Sequence, residues 1–290
     1  MSFSICFLGN SHVAAIKQAW TNRSPAVAPG VSVTFFSAGT HLLKQLRLRD
    51  GIWMAGSEPL REKLAYTSGG PDSISLKTFD AFVLFGSGFG LDIPKFCDGY
   101  DLADVSGRAI EGTPLSRAAF AAMIEAQLEN SIAVELIDTI NSVSGKPVLL
   151  CAAPFLSERV LEEEEAVRSQ KRFQDRAFLE FVVAAARTAG ANIAARHRHD
   201  VMWQEESSIG VPGFTRLEFG TDPVRFAMKG FKIPPTDRKH GNEDYGLLML
   251  NAVLRRLHER CGGVLQEEPA RPSKRAIPRA GATAAASDGA

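Results

Sequence analysis

Three residues in this chain have types and spacings that could carry out acyl transfer. Ser11 lies in CFLGNSHVAA (residues 6–15), where an apolar run stops at Gly9-Asn10-Ser11-His12 and helix formers follow at once. Asp237 and His240 lie in TDRKHGNEDYG (residues 236–246), three positions apart, behind Pro234 and Pro235 and ahead of Gly241. On a loop entering a helix, that spacing lets a carboxylate curl back to imidazole Nδ1, fixing the tautomer and leaving Nε2 free as a base. A serine hydroxyl is a poor nucleophile until such a base takes its proton. If the late loop returns to the carboxyl edge of the first strand, Ser11, His240 and Asp237 complete a triad. Each also has a plainer reading. Ser11 stands where a capping serine would satisfy an orphan helix amide. His240 could be a loop histidine with no chemical task, and Asp237 an Asx-turn residue ahead of the last helix.

Other stretches invite chemistry less strongly. In ARHRHD (residues 195–200), His197 and His199 would face the same way on a strand and Asp200 could add an oxygen ligand. Arg196 and Arg198 interleave and would repel a cation, so no metal site is expected. The acidic run at residues 162–165 is followed by Arg168, Lys171 and Arg172, the pattern of a solvated helix face. Trp53, Trp203 and Phe89 fall outside periodic core patterns, where aromatics either stack on a sugar ring or pack beneath a long loop.

The elements that must position these residues read as alternating strands and helices. Residues 3–8, 31–36, 81–85 and 147–152 are short apolar, β-branched or aromatic runs, with a weaker fifth run at 192–195. Helical patterns occupy residues 14–20, 115–143, 157–188 and 247–260. This order predicts a parallel sheet covered on both faces. Residues 61–79 read as a hairpin around Ser68-Gly69-Gly70-Pro71-Asp72, and residues 87–114 are rich in Gly, Asp and Pro without periodicity. The insertions at 53–79 and 87–114 are therefore candidates for a substrate rim at the carboxyl side of the sheet.

Composition narrows the classes further. The 290 residues, 45% hydrophobic and 23% charged, suffice for one large α/β domain. With 33 basic and 33 acidic residues the formal charge is zero, so no overall field draws the protein to nucleic acid or an acidic membrane. Neither a signal-peptide core nor a bilayer-spanning apolar stretch is evident, and a cytoplasmic location is expected. The four cysteines, at 6, 97, 151 and 261, lack C-x-x-C spacing, so neither disulfides nor a zinc ribbon is expected. One domain is expected over residues 1–265, with a disordered tail over 266–290 that is poor in bulky apolar residues.

Gly9-Asn10-Ser11 just after the first strand, with Asp-x-x-His late in the chain before the last helix, resembles the SGNH/GDSL hydrolases. The resemblance implies a flavodoxin-like, three-layer α/β/α sandwich with a central parallel sheet of about five strands. It implies Ser11 as nucleophile, His240 as base and Asp237 as orienting carboxylate, with no cofactor. Gly39, in FFSAGTHLL after the second strand, matches the glycine whose amide joins that of Ser11 in the oxyanion hole. Where the family usually carries an asparagine after the third strand, this chain has Gly86-Ser87-Gly88-Phe89-Gly90, so Ser87 or the Gly88 amide is expected to stand in. Asn10, His12, Phe89 and Asn242 are expected to line the substrate. The implied activity is hydrolysis of an acyl ester, a carbohydrate O-acyl ester first. Two alternatives stay open: an O-acyltransferase on the same triad, and an inactive module of the same fold that binds a glycan or partner.

Overall fold

A computed structural model describes residues 2–28, 30–92, 100–104, 113–162, 175–226, 234 and 237–261. Five short strands form its spine: β1 (Phe3–Gly9), β2 (Val31–Ser37), β6 (Ala81–Phe85), β9 (Val148–Cys151) and β11 (Asp200–Met202). They pair in parallel in the order β11-β9-β6-β1-β2, with Phe7 opposite Phe35 on one side and Val83 on the other. Counting only these five, the order is 2-1-3-4-5, and the direction of winding reverses between β1 and β6. Open α/β sheets hold ligands beyond the carboxyl ends of the strands that flank such a reversal.

Both faces of the sheet are covered, as period-two alternation of buried side chains demands. Ile5, Phe7, Val83 and Phe85 point into one core with α1 (Val13–Val27) and α8 (Glu243–Arg260). Cys6, Leu8, Phe82 and Leu84 point into the other with α3 (Glu58–Ser68), α4 (Arg117–Glu129), α5 (Ile132–Val143) and α6 (Arg176–Arg196). The three-layer α/β/α architecture is thus the one expected. The contact between α1 and α8 is unusually close. A Cβ on Gly246 would sit 2.1 Å from the Ala15 carbonyl oxygen, so only glycine lets the first turn of α8 lie against α1.

Several local expectations need correction. Residues 61–68 form no hairpin arm but most of α3, because Leu60, Leu64 and Thr67 fall on one buried helical face. Ser57 flanks its start, Pro59 sits in its first turn, and Gly69 ends it with φ +83. Only Ser73–Ser75 of the second arm is extended, as β5, in a small antiparallel sheet with β4 (Ile52–Ala55) and β3 (Leu46–Arg49). The fifth strand is β11, not residues 192–195, which complete α6. Ile193 and Ala194 are buried there on the same helical stripe as Ala186, Ala189 and Gly190. The helix expected over 115–143 breaks into α4 and α5, with Asn130 closing one and Ser131 opening the next.

Contrary to expectation, one helix among the described residues, α6, is long and apolar enough to cross a membrane by length and composition. Half of its most apolar stretch is buried inside the fold. Cys6, Cys151 and Cys261 are free thiols. The tail from residue 266 and the acidic run at 163–165 lie outside the described residues, and Glu162 ends a short 3₁₀ turn.

Candidate active site

Ser11 lies two residues past the end of β1 and sits half-buried in the turn that opens α1, where Val13 and Ala14 amides donate to the Asn10 and Ser11 carbonyls. Its hydroxyl oxygen lies 2.7 Å from His240 Nε2. The capping reading therefore does not describe this hydroxyl. His240 Nδ1 lies 3.0 Å from each carboxylate oxygen of Asp237. The structure thus brings the early turn and the late loop together, 229 positions apart in sequence.

The late loop is stitched into its surroundings by backbone hydrogen bonds. Ser157 N donates to the Arg238 carbonyl, Val224 N to Gly241, and Asn242 N to Phe219. Asp237 is almost wholly buried, with a side chain 1% exposed. Burial alone pushes its carboxyl upward. Hydrogen bonding to His240, Arg225 and the Lys239 amide outweighs burial and holds the group well below the usual carboxylate range. Asp237 is therefore an anion throughout the range in which a histidine can act as a base.

His12 stacks on His240 with ring centroids 4.6 Å apart and planes inclined by 25°. Burial, and then the neighbouring His240, push its imidazole down to about 3, so it is a neutral ring. His12 is thus in the site, against the base rather than in its place. Asn10 braces the turn: its Oδ1 accepts from the His12 amide, and its Nδ2 donates to Thr40 Oγ1 at 3.3 Å. This bond ties the nucleophile turn to α2 (Thr40–Leu43), whose N-cap is Gly39. Gly39 is half-buried there, one residue from the side chain that Asn10 holds.

The loop after β6 differs from its expected role. Ser87 is fully buried with φ +53, and its hydroxyl is not presented to an ester at Ser11. Gly88 is exposed with φ +87 and lies beside Ser131 at the start of α5. Gly86 is the residue of this loop that touches the turn. A Cβ there would stand 2.8 Å from Asn10 Oδ1 and 2.9 Å from His12 Cδ2.

Two expected substrate contacts are structural instead. Phe89 is fully buried, its ring 5.9 Å from that of Trp203. Asn242 caps α8: its Oδ1 accepts from the Tyr245 amide and its Nδ2 donates to the Glu218 carbonyl. Trp53 is buried in β4 and offers no face to a sugar, while Trp203 is half-buried and packs against Phe89 and Phe155.

The ARHRHD stretch is split by the end of α6. His197 is its C-cap, held by Glu129 and Asp138, while His199 is buried. Among the described residues, no group of three or more His, Cys, Asp or Glu is placed to hold a metal ion.

Sequence reasoning missed Arg225. Its Nε lies 2.5 Å from Asp237 Oδ2 and 3.0 Å from His240 Nδ1. No motif marks it, because it arrives from a separate loop and its partners are set by the fold.

No protein-family model matches the chain, and no curated protein matches it in sequence. Among solved structures it is similar to a lipase/acylhydrolase from Enterococcus faecalis, at 13% identity over 92% of this chain and 100% of that one, with a TM-score of 0.41. It is also similar to a carbohydrate esterase family 2 enzyme with a carbohydrate binding domain from Corynascus thermopiles, at 12% identity, 89% and 67% coverage, and a TM-score of 0.32. A third is the periplasmic domain of a lipopolysaccharide acetyltransferase from Salmonella ser. Paratyphi A, at 8% identity, 89% and 84% coverage, and a TM-score of 0.36. At likeness this remote, the chemistry must be argued from the residues themselves.

Proposed function

We propose that the chain is a serine esterase that cleaves an acyl ester through an acyl-enzyme on Ser11. The observation that carries this reading is the unbroken run from Ser11 Oγ through His240, at 2.7 Å, to Asp237, at 3.0 Å, placed where the sheet reverses its winding. His240 Nε2 takes the Ser11 proton as Oγ attacks the ester carbonyl. The resulting imidazolium returns that proton to the leaving alkoxide as the acyl-enzyme forms. A water molecule then gives its proton to Nε2 and attacks the acyl carbon, and Ser11 leaves as the free hydroxyl. Asp237 stays ionised throughout and steadies the imidazolium. The amides of Ser11 and Gly39, with that of Gly88 as a third candidate, would face the oxyanion.

A carbohydrate O-acyl ester is the first substrate to try, and a sugar hydroxyl in place of water would make the same site a transferase. The test is to treat the folded protein with a small fluorophosphonate and weigh it. A single covalent adduct on Ser11, absent from Ser11→Ala, is expected together with hydrolysis of a short-chain aryl ester. Folded protein that takes up no adduct and cleaves no ester would overturn the reading in favour of a binding module.

A further inference from the structure

His240 Nδ1 has two competing neighbours. Both Asp237 oxygens lie 3.0 Å from it, and so does the Nε of Arg225, whose N–H is aligned on the same nitrogen. Nδ1 cannot serve both. Carrying a proton, it donates to Asp237; without one, it accepts from Arg225. In the first case Nε2 presents a lone pair to Ser11, and the base works. In the second the ring's one proton sits on Nε2, pointing at Ser11, and no base is available.

The carboxylate decides the contest. A bare lone pair on Nδ1 would face two anionic oxygens, whereas a proton there is welcomed by them, and the guanidinium keeps its ion pair with Oδ2 at 2.5 Å. Arg225 is also held in place. The Val224 amide donates to the Gly241 carbonyl, Lys63 Nζ donates to the Phe226 carbonyl, and the Lys17 ammonium lies 5.9 Å from the Phe226 ring.

We infer that Arg225 is a positioning residue that makes the working tautomer of His240 conditional on the charge of Asp237. This inference rests on the esterase reading. With Asp237 ionised, Arg225 shares its charge and keeps it ionised. With the carboxylate gone, Arg225 turns to Nδ1 and holds the base in its idle form.

The experiment is a double-variant cycle on the full chain, read as kcat and KM for a short-chain aryl ester across pH. Asp237→Ala should cost roughly 10⁴-fold in kcat, the scale of a wrong-tautomer triad. Adding Arg225→Met to it should restore activity by about 10-fold, since Nδ1 then takes its proton from water. Arg225→Met alone should lower kcat with KM little changed. Its acid limb should move to higher pH, because the base then takes up its proton without a guanidinium 3.0 Å away to oppose it.

Of the other groups at the site, His240 and the Lys239 amide hydrogen-bond to Asp237, Arg238 reaches its carbonyl, and the Lys239 ammonium is paired with Asp92. His12, stacked on His240, is neutral. Arg225→Lys should recover part of the kcat and of the pH limb. An arginine that only held the loop together would leave the double variant no better than Asp237→Ala and the pH limb of Arg225→Met in place, and either result overturns the inference. Melting temperatures and circular dichroism of each variant identify loss of fold, and Arg225→Gln serves if the methionine variant unfolds. If Ser11→Ala kept its activity, the esterase reading itself would fail, independently of Arg225.

Discussion

Ser11 and His240 are chemically useful only as a pair, since an isolated hydroxyl holds its proton and an isolated imidazole has nothing to attack with. Ser11→Ala and His240→Ala should therefore each lower kcat for an aryl ester by roughly 10⁴-fold or more, and the double variant should be no worse than either single. Steady-state kinetics on the three proteins checks this. A double variant far below both singles would mean that the residues act separately. Asp237, by contrast, combines its orienting task with a buried charge, so its removal should also reduce stability. The Asp-x-x-His loop carries its own geometry, whereas Arg225 has no local signature and enters only through a loop that lies beside Gly241 in space.

Elements place these side chains through their ends. Asn242 caps α8 two residues after His240, which makes it a structural anchor and not a substrate contact. Asn242→Ala should cost about 1 kcal/mol of stability, the usual value of a lost cap, and leave KM unchanged. Chemical denaturation and kinetics on one preparation check both halves.

At the far end of the sheet, His197 closes α6 by donating from Nδ1 to Asp138 on α5 and from Nε2 to Glu129 on α4, at 2.7 and 2.8 Å. Both bonds require the imidazolium. The Glu129 carboxylate, ahead of that of Asp138, raises the His197 pKa against a partial desolvation that lowers it. A pKa raised on folding adds stability that is fully present below the unfolded value and is lost as pH rises through the folded one. His197→Gln should therefore destabilise the protein by up to about 1 kcal/mol near pH 5.5, because the half-exposed Asp138 is screened, and by almost nothing near pH 9. Melting curves of both proteins at the two pH values check the sign.

At the scale of the molecule, the site exists because two halves of the chain are pressed onto one face of the sheet. The close passage of α8 over α1 at Gly246 carries the late loop to the early turn, and the switch between β1 and β6 opens the crevice in which they meet. Residues 266–290 have a composition that cannot bury a core. Deleting them should leave the melting temperature and the esterase rate unchanged. A drop of several degrees on truncation would show that the tail packs on the domain.

The sequence alone was enough for four of the five sheet strands, the last helix, the sheet's parallel sense and the candidacy of Ser11, Asp237 and His240. Each of these is local: an apolar run, a helical stripe, a turn-forming Gly-Asn-Ser, a carboxylate three residues ahead of an imidazole. Tertiary structure decided the rest. It turned 61–68 into a helix by burying one face of it, and moved the fifth strand past residues whose apolar character serves a helical stripe equally well. It withdrew Phe89 and Trp53 into the core, gave Asn242 to a helix cap, and set Arg225 beside Nδ1. Those outcomes depend on which surfaces meet, and a chain read one residue after another carries the period of its side chains but not the identity of the neighbours that bury them.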